Sequence, residues 1–165
     1  MSGRLPYHVN QENHPPTSPG GGVPLGMTTI ADKLNASGYQ SHQIGKVRVH
    51  IVPTSTLVRR LTRRVRVRVQ WHCGMSCTAH LPVNRGFTSS FGYLSGAEDH
   101  FADTRAASGY PGVDLWRSFE PAYGENGTRG ELDYNTYKFT HEALQVIGAH
   151  PASLPLFIYL CFQNV

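Results

Sequence analysis

The sequence predicts an α/β fold with a mostly parallel central sheet, and three stretches carry that prediction. The first is a short helix opening at Thr28 or Thr29 and stopping at Gly38, followed at once by a strand over 39–44. The second is a helix beginning near Tyr134 that must end by His150-Pro151, because a residue before proline is pushed out of the helical region. The third is the apolar run Leu156-Phe157-Ile158-Tyr159-Leu160-Cys161-Phe162 just after it, which reads as a central parallel strand covered on both faces. A helix leading into a strand, twice over, is the alternation that α/β layer folds require.

Each element has a local reason. Thr28 or Thr29 offers a hydroxyl to the first free N–H groups of the helix, and Asp32 in its opening turn complements the helix dipole. Ile30 and Leu34 stand four apart and share a face, and Gly38 supplies the left-handed stop. Tyr39 to Ile44 is then the strand, and Gly45-Lys46 the turn that ends it. This order places the Lys46 ammonium at the carboxyl end of a sheet, where open α/β folds build their sites. A lysine there is a compact point charge suited to sulfate or phosphate. In the second helix Tyr137, Thr140, Leu144 and Ile147 fall on one predicted apolar face. Residues 87–101 mix aromatics with Gly92 and Gly96 and read as a packed loop beside the site. Residues 12–26, rich in proline and glycine, read as irregular.

At 165 residues, 39% hydrophobic, the chain has material for one ordinary core. No apolar run is long enough for a membrane span, and the N-terminus does not read as a signal peptide. The net charge of +4 is misleading as a whole-chain property. Residues 47–70 contain Arg48, Arg59, Arg60, Arg63, Arg64, Arg66 and Arg68 with no acid, so without those seven charges the remainder stands at −3. The strict alternation Arg64–Val69 favours a strand with one arginine face. It lacks the interleaved aromatics that would stack bases, so nucleic acid is not the expected partner. Three cysteines, Cys73, Cys77 and Cys161, cannot all pair with one another. The crowding of His72, Cys73, Cys77 and His80 into nine positions departs from the two separated pairs of a zinc site, and small thiols packed near a turn are the simpler reading. Asn35-Ala36-Ser37 and Asn126-Gly127-Thr128 are glycosylation acceptors only if the chain enters the secretory pathway.

Several segments together resemble the sulfatase family, most closely its arylsulfatase B (N-acetylgalactosamine-4-sulfatase) branch. Gly38-Tyr39-Gln40-Ser41-His42-Gln43-Ile44-Gly45-Lys46 followed by Trp71-His72 is similar to the family's G-Y-x-[ST]-x-x-x-G-K-W-H. Arg85-Gly86-Phe87 through Phe91-Gly92-Tyr93-Leu94-Ser95-Gly96 is similar to R-G-F-D-x-x-F-G-Y-L-x-G. Gly112, Asp114, Leu115 and Trp116 match a looser G-x-D-L-W. Gly3, Arg4, Pro6 and His8 match the tail of C-x-P-S-R-x-x-L-L-T-G-R-Y-P-x-H, whose cysteine would precede Met1.

The resemblance implies a portion of an alkaline-phosphatase-like catalytic domain, spanning 1–165, that hydrolyses sulfate esters, with sulfated glycans among the expected substrates. It implies Lys46 in contact with the sulfate and His72 hydrogen-bonded to the nucleophile, both counted as catalytic. It also implies calcium and a formylglycine made from the motif cysteine, neither of them supported by residues of this chain, so the chain alone is expected to be inactive. A lysosomal or secreted location is expected for the intact family. One departure interrupts the match: 24 residues, 47 to 70, separate Lys46 from Trp71, which are neighbours in the family motif. A valine codon opens with GT and a glutamine codon can close with AG, so an in-frame retained intron would produce this basic insertion. Two other readings stand beside the enzyme: a non-catalytic remnant that binds sulfated glycans, and an interaction protein acting through residues 47–70.

Overall fold

A computed structural model describes residues 1–4, 8, 21–46, 73–74, 76–94, 98–104, 112–124 and 134–163. The basic segment 47–70, including the strand expected over Arg64–Val69, lies outside the described residues, as do Trp71, His72 and Asn126.

The described elements are α1 (Ile30–Ala36), β1 (Gln40–Gly45), two 3₁₀ turns (Thr78–His80 and Pro82–Arg85), β2 (Ser89–Tyr93), β3 (Leu115–Arg117), β4 (Glu120–Pro121), α2 (Asn135–Ala149) and β5 (Leu156–Cys161). They form one sheet in the order β4-β3-β2-β1-β5. β1 runs parallel to both β2 and β5, and β3 and β4 add an antiparallel flank. The α/β class with a mixed, mostly parallel sheet is therefore present, with β1 at the centre of its parallel part.

α1 starts where its sequence says it should. Thr29 accepts from the Asp32 backbone N–H at 3.2 Å, and the Asp32 carboxylate accepts from the Thr29 N–H at 2.6 Å, a reciprocal capping box. It ends with Gly38 at φ 83° and the Tyr39 N–H returning to the Leu34 carbonyl at 3.0 Å. The face differs from the expected one: Ala31 is buried, and Ile30 is exposed. Arg85 fixes this end of the chain. Its guanidinium donates to the Met27 carbonyl at 2.7 Å, and its own carbonyl accepts from the Thr29 hydroxyl at 2.9 Å.

Helices cover both faces of the sheet. On the α1 side Val23, Ala31, Cys73 and Phe87 pack with Phe157 and Tyr159. On the α2 side Ile44, Phe91, Tyr93, Leu115, Ala122, Phe139 and Ala143 pack with Val146 and Ile158. Consecutive β5 residues therefore serve opposite layers, as the pleat requires. Phe139 is the hub of the second layer, edge-on to both Phe91 and Tyr93.

Three further expectations are corrected. The predicted face of α2 points outward: Tyr137, Leu144 and Ile147 are 56%, 62% and 54% exposed, while Asn135, Phe139 and Ala143 are buried. Both stripes have helical spacing, and what selects the inner one is the ring pair that Phe139 meets on β2. The run 156–162 does form a strand parallel to β1, but it stands at the edge of the described sheet and is only half-buried. Its continuous apolarity reflects contact with two layers, which an edge strand also makes. Within 87–101, read as a loop, Ser89–Tyr93 is a strand, because parallel pairing with His42–Gly45 satisfies its backbone.

Burial also sets an alkaline limit on stability. Desolvation pushes the Cys73 thiol up from 9.0 to about 11. The unfolded chain therefore sheds this proton first as pH rises, so the thiol's contribution is complete below pH 9 and is lost between 9 and 11. Tyr93 and Tyr159, both raised from 10.0 chiefly by burial, act in the same direction above that value. The melting midpoint is expected to fall between pH 9 and 11, with Cys73 accounting for on the order of 2 kcal/mol. A Cys73→Ala chain should show a shallower decline over the same range in circular-dichroism melts.

Candidate functional site

The three parallel strands deliver polar residues to the same end of the sheet. Lys46 directly follows β1, Tyr93 closes β2, and Gln163 lies two residues past β5. β3 runs the other way, so Asp114, just before it, reaches the same end. The last shared rung of the sheet joins Cys161, Gly45, Gly92 and Trp116. Lys46 sits immediately above it, its backbone N–H donating to the Cys161 carbonyl at 2.7 Å.

The Lys46 ammonium is not at the surface. Its Nζ lies 3.3 Å from Glu98 Oε2, and the two side chains are 2% and 0% exposed. The Glu98 backbone is tied down in turn: its carbonyl accepts from Gln163 Nε2 at 2.7 Å, and the Gln163 amide oxygen accepts from Asn135 Nδ2. Asn135 opens α2 and donates its backbone N–H to the His100 carbonyl at 2.9 Å. Beside this chain lies a second buried group. Asp103, fully buried and at φ 54°, accepts from the Tyr93 hydroxyl and from Lys138 Nζ. Desolvation and the Asp103 carboxylate both hold Tyr93 in its neutral, donating form.

Chemically, the arrangement presents a buried cation at the carboxyl end of a parallel sheet, supported by residues from β1, β5, α2 and the 98–104 segment. Such a cation can hold an anionic oxygen far more strongly than a solvated one, because little water screens it.

Of the two site residues expected from sequence, Lys46 is placed here, and His72 lies outside the described residues. Cys73, next to it in sequence, is buried against the α1 layer. Glu98, Gln163, Asn135, Asp103 and Lys138 were not anticipated. They meet across 28 to 65 residues of chain, so no local spacing announces them. The one available hint was that Glu98 closely follows the Gly92–Gly96 stretch. Elsewhere, Cys77 Sγ contacts His80 Nδ1 at 3.3 Å, so this pair is satisfied within one turn.

Calcium and formylglycine are implied by the resemblance, and the described residues do not fit them. Among these residues no three His, Cys, Asp or Glu side chains converge, whereas calcium calls for six or more oxygens. The Cys161 thiol is half-buried and raised by burial. Among the described residues no helix is long and apolar enough to cross a membrane.

Comparison with known proteins agrees with the fold and the motifs. A curated relative, arylsulfatase J of Mus musculus, is 29% identical over 169 residues, covering 100% of this chain and 23% of that protein. An arylsulfatase of Klebsiella aerogenes is 23% identical over 136 residues, covering 82% of this chain and 23% of its own length. The chain thus spans about a quarter of the curated relatives it matches. Two crystal structures of Ps i-CgsB, one of them in complex with k-i-k-neocarrahexaose, superpose with a TM-score of 0.66 at 24% identity. They cover 98% and 100% of this chain and 32% of theirs, which establishes the fold. The sulfatase family model matches residues 1–165, and with motifs and sheet in agreement the chain belongs to the sulfatase family.

Proposed function

We propose that this chain carries part of the anion-binding half of a sulfatase catalytic domain, with Lys46 as the residue that holds a sulfate oxygen. The observation that supports it is the burial of the Lys46 ammonium at the carboxyl end of the parallel sheet, within the Gly45-Lys46 turn of the family motif. His72, the histidine of the same motif, takes the nucleophile-contacting role that the resemblance assigns to it. The substrate class is a sulfate ester, and the arylsulfatase B likeness of the Phe91–Gly96 stretch favours a sulfated glycan.

For the 165-residue chain by itself the proposal is binding without turnover. Its sequence contains no C-x-P-S-R segment to supply the nucleophile and no D-D or D-x-D cluster to hold a cation. Residues 47–70 are, in the same reading, an insertion within the G-K-W-H motif. Sequencing transcripts across the Lys46–Trp71 junction checks this, since a shorter message joining the two codons is expected.

The anion-binding claim is tested by titrating sodium sulfate into the chain, against sodium chloride at matched ionic strength, and following backbone amide shifts. Sulfate-specific shifts are expected around Gly45, Lys46 and Glu98. Lys46→Ala should weaken binding by about tenfold or more, the scale of a lost hydrogen bond to a charged group. Equal affinity in both proteins, or aryl sulfate turnover by the chain above a Lys46→Ala control, would refute the proposal.

A further inference from the structure

Resting on the anion-binding reading of Lys46, we infer that Glu98 is a positioning residue for that lysine, holding the ammonium charged and aimed within the buried site. Three observations converge. The Lys46 Nζ to Glu98 Oε2 distance is 3.3 Å with both side chains essentially inaccessible to water. Glu98 is itself immobilised, because its carbonyl accepts the Gln163 amide at 2.7 Å and Gln163 is held by Asn135 at the start of α2. The lysine is likewise constrained at its base, where its N–H donates to the Cys161 carbonyl at 2.7 Å and the β1 and β5 backbones approach so closely that a Cβ at Gly45 would collide with that carbonyl.

A lysine this buried loses its charge or swings toward solvent when its counter-charge is removed, since desolvation disfavours the ionised form. The carboxylate meets the ammonium as an ion pair at 3.3 Å, inside a region that water does not reach. Glu98 therefore acts through Lys46 and not on the anion itself. The carboxylate also repels an incoming anion, and that repulsion opposes the holding effect. Holding is the larger of the two effects, because a neutral or displaced lysine offers the anion no charge.

The test is a double-mutant cycle on the full 165-residue chain with inorganic sulfate as the probe. Glu98→Gln should weaken sulfate binding about tenfold, within the usual range for directly coupled residues. In a Lys46→Ala background the same substitution should change nothing. Glu98→Asp, which keeps the charge, should recover most of the affinity. If Glu98→Gln binds sulfate as tightly as the unsubstituted chain or more tightly, or weakens binding equally with and without Lys46, the inference is overturned. If the unsubstituted chain and Lys46→Ala already bind alike, the underlying functional reading fails first, and that result is distinct. A second measurement needs no variant: the Lys46 ε-methylene protons should be inequivalent and as slow-moving as the backbone by NMR. Equivalent, freely rotating signals would overturn the inference even if Glu98→Gln did not fold.

Discussion

Gly45→Ala is expected to abolish the cooperative thermal unfolding of this chain. A Cβ at position 45 would lie 2.0 Å from the Cys161 carbonyl oxygen, a rigid backbone atom of the neighbouring strand. The residue also has φ 105°, which an L side chain rarely adopts. Strain of about 1–3 kcal/mol from the backbone adds to about 1–3 kcal/mol from overpacking. The sum, about 2–6 kcal/mol, reaches the low end of the roughly 5–15 kcal/mol that holds a domain folded. The contact lies on the rung that ends in Lys46, so relief by strand separation would move the lysine as well. Gly148→Ala is the control: its added methyl meets nothing within 4 Å, and alanine is the better helix former. Far-UV circular-dichroism melts of the two variants should therefore diverge, with Gly148→Ala retaining a cooperative transition.

Asp103→Ala should produce the second large loss. The carboxylate is fully buried, and it accepts from both Tyr93 and Lys138, whose side chain is 10% exposed. Deleting it leaves a mostly buried ammonium and a buried hydroxyl with a partner removed, a change that costs about 3–5 kcal/mol when a buried ion pair is broken from one side. The expected readout is a lower denaturant midpoint with an unchanged slope. Combining Asp103→Ala with Lys138→Met should recover part of the loss, because the stranded charge is gone. A single variant that melts with the unsubstituted chain would show the pair to be energetically silent.

These two positions illustrate how unevenly the sequence could be read. The ends of the α1–β1 unit were legible in the sequence, though not the face that α1 buries, which is Ala31 and not Ile30. The Thr29 and Asp32 cap and the Gly38 stop are governed by contacts within five residues, while the strand into Lys46, present as expected, is held by β2 and β5 from far along the chain. The α2 helix was legible as a helix but not in its orientation. Tyr137, Leu144 and Ile147 are as apolar as the stripe that is buried, and only the meeting of Phe139 with Phe91 and Tyr93 decides between them. β2 was missed for the same reason. Ser89-Ser90-Phe91-Gly92-Tyr93 is no strong strand former alone, and its pairing with His42–Gly45 comes from far along the chain. Arg85 carried a motif match, yet its guanidinium closes the loop before α1 through backbone carbonyls.

By itself, the order of residues determined the family, the α/β class, the parallel placement of 156–161 after a helix, and the presentation of Lys46 at a strand end. All of these follow from local backbone preferences or from short motifs. Only the tertiary structure decided that the lysine is buried, that Glu98 faces it, and that Gln163, Asn135 and Asp103 brace the same end of the sheet. A buried charge must find its partner wherever the packed layers bring one, and layer packing joins residues without regard to their separation along the chain.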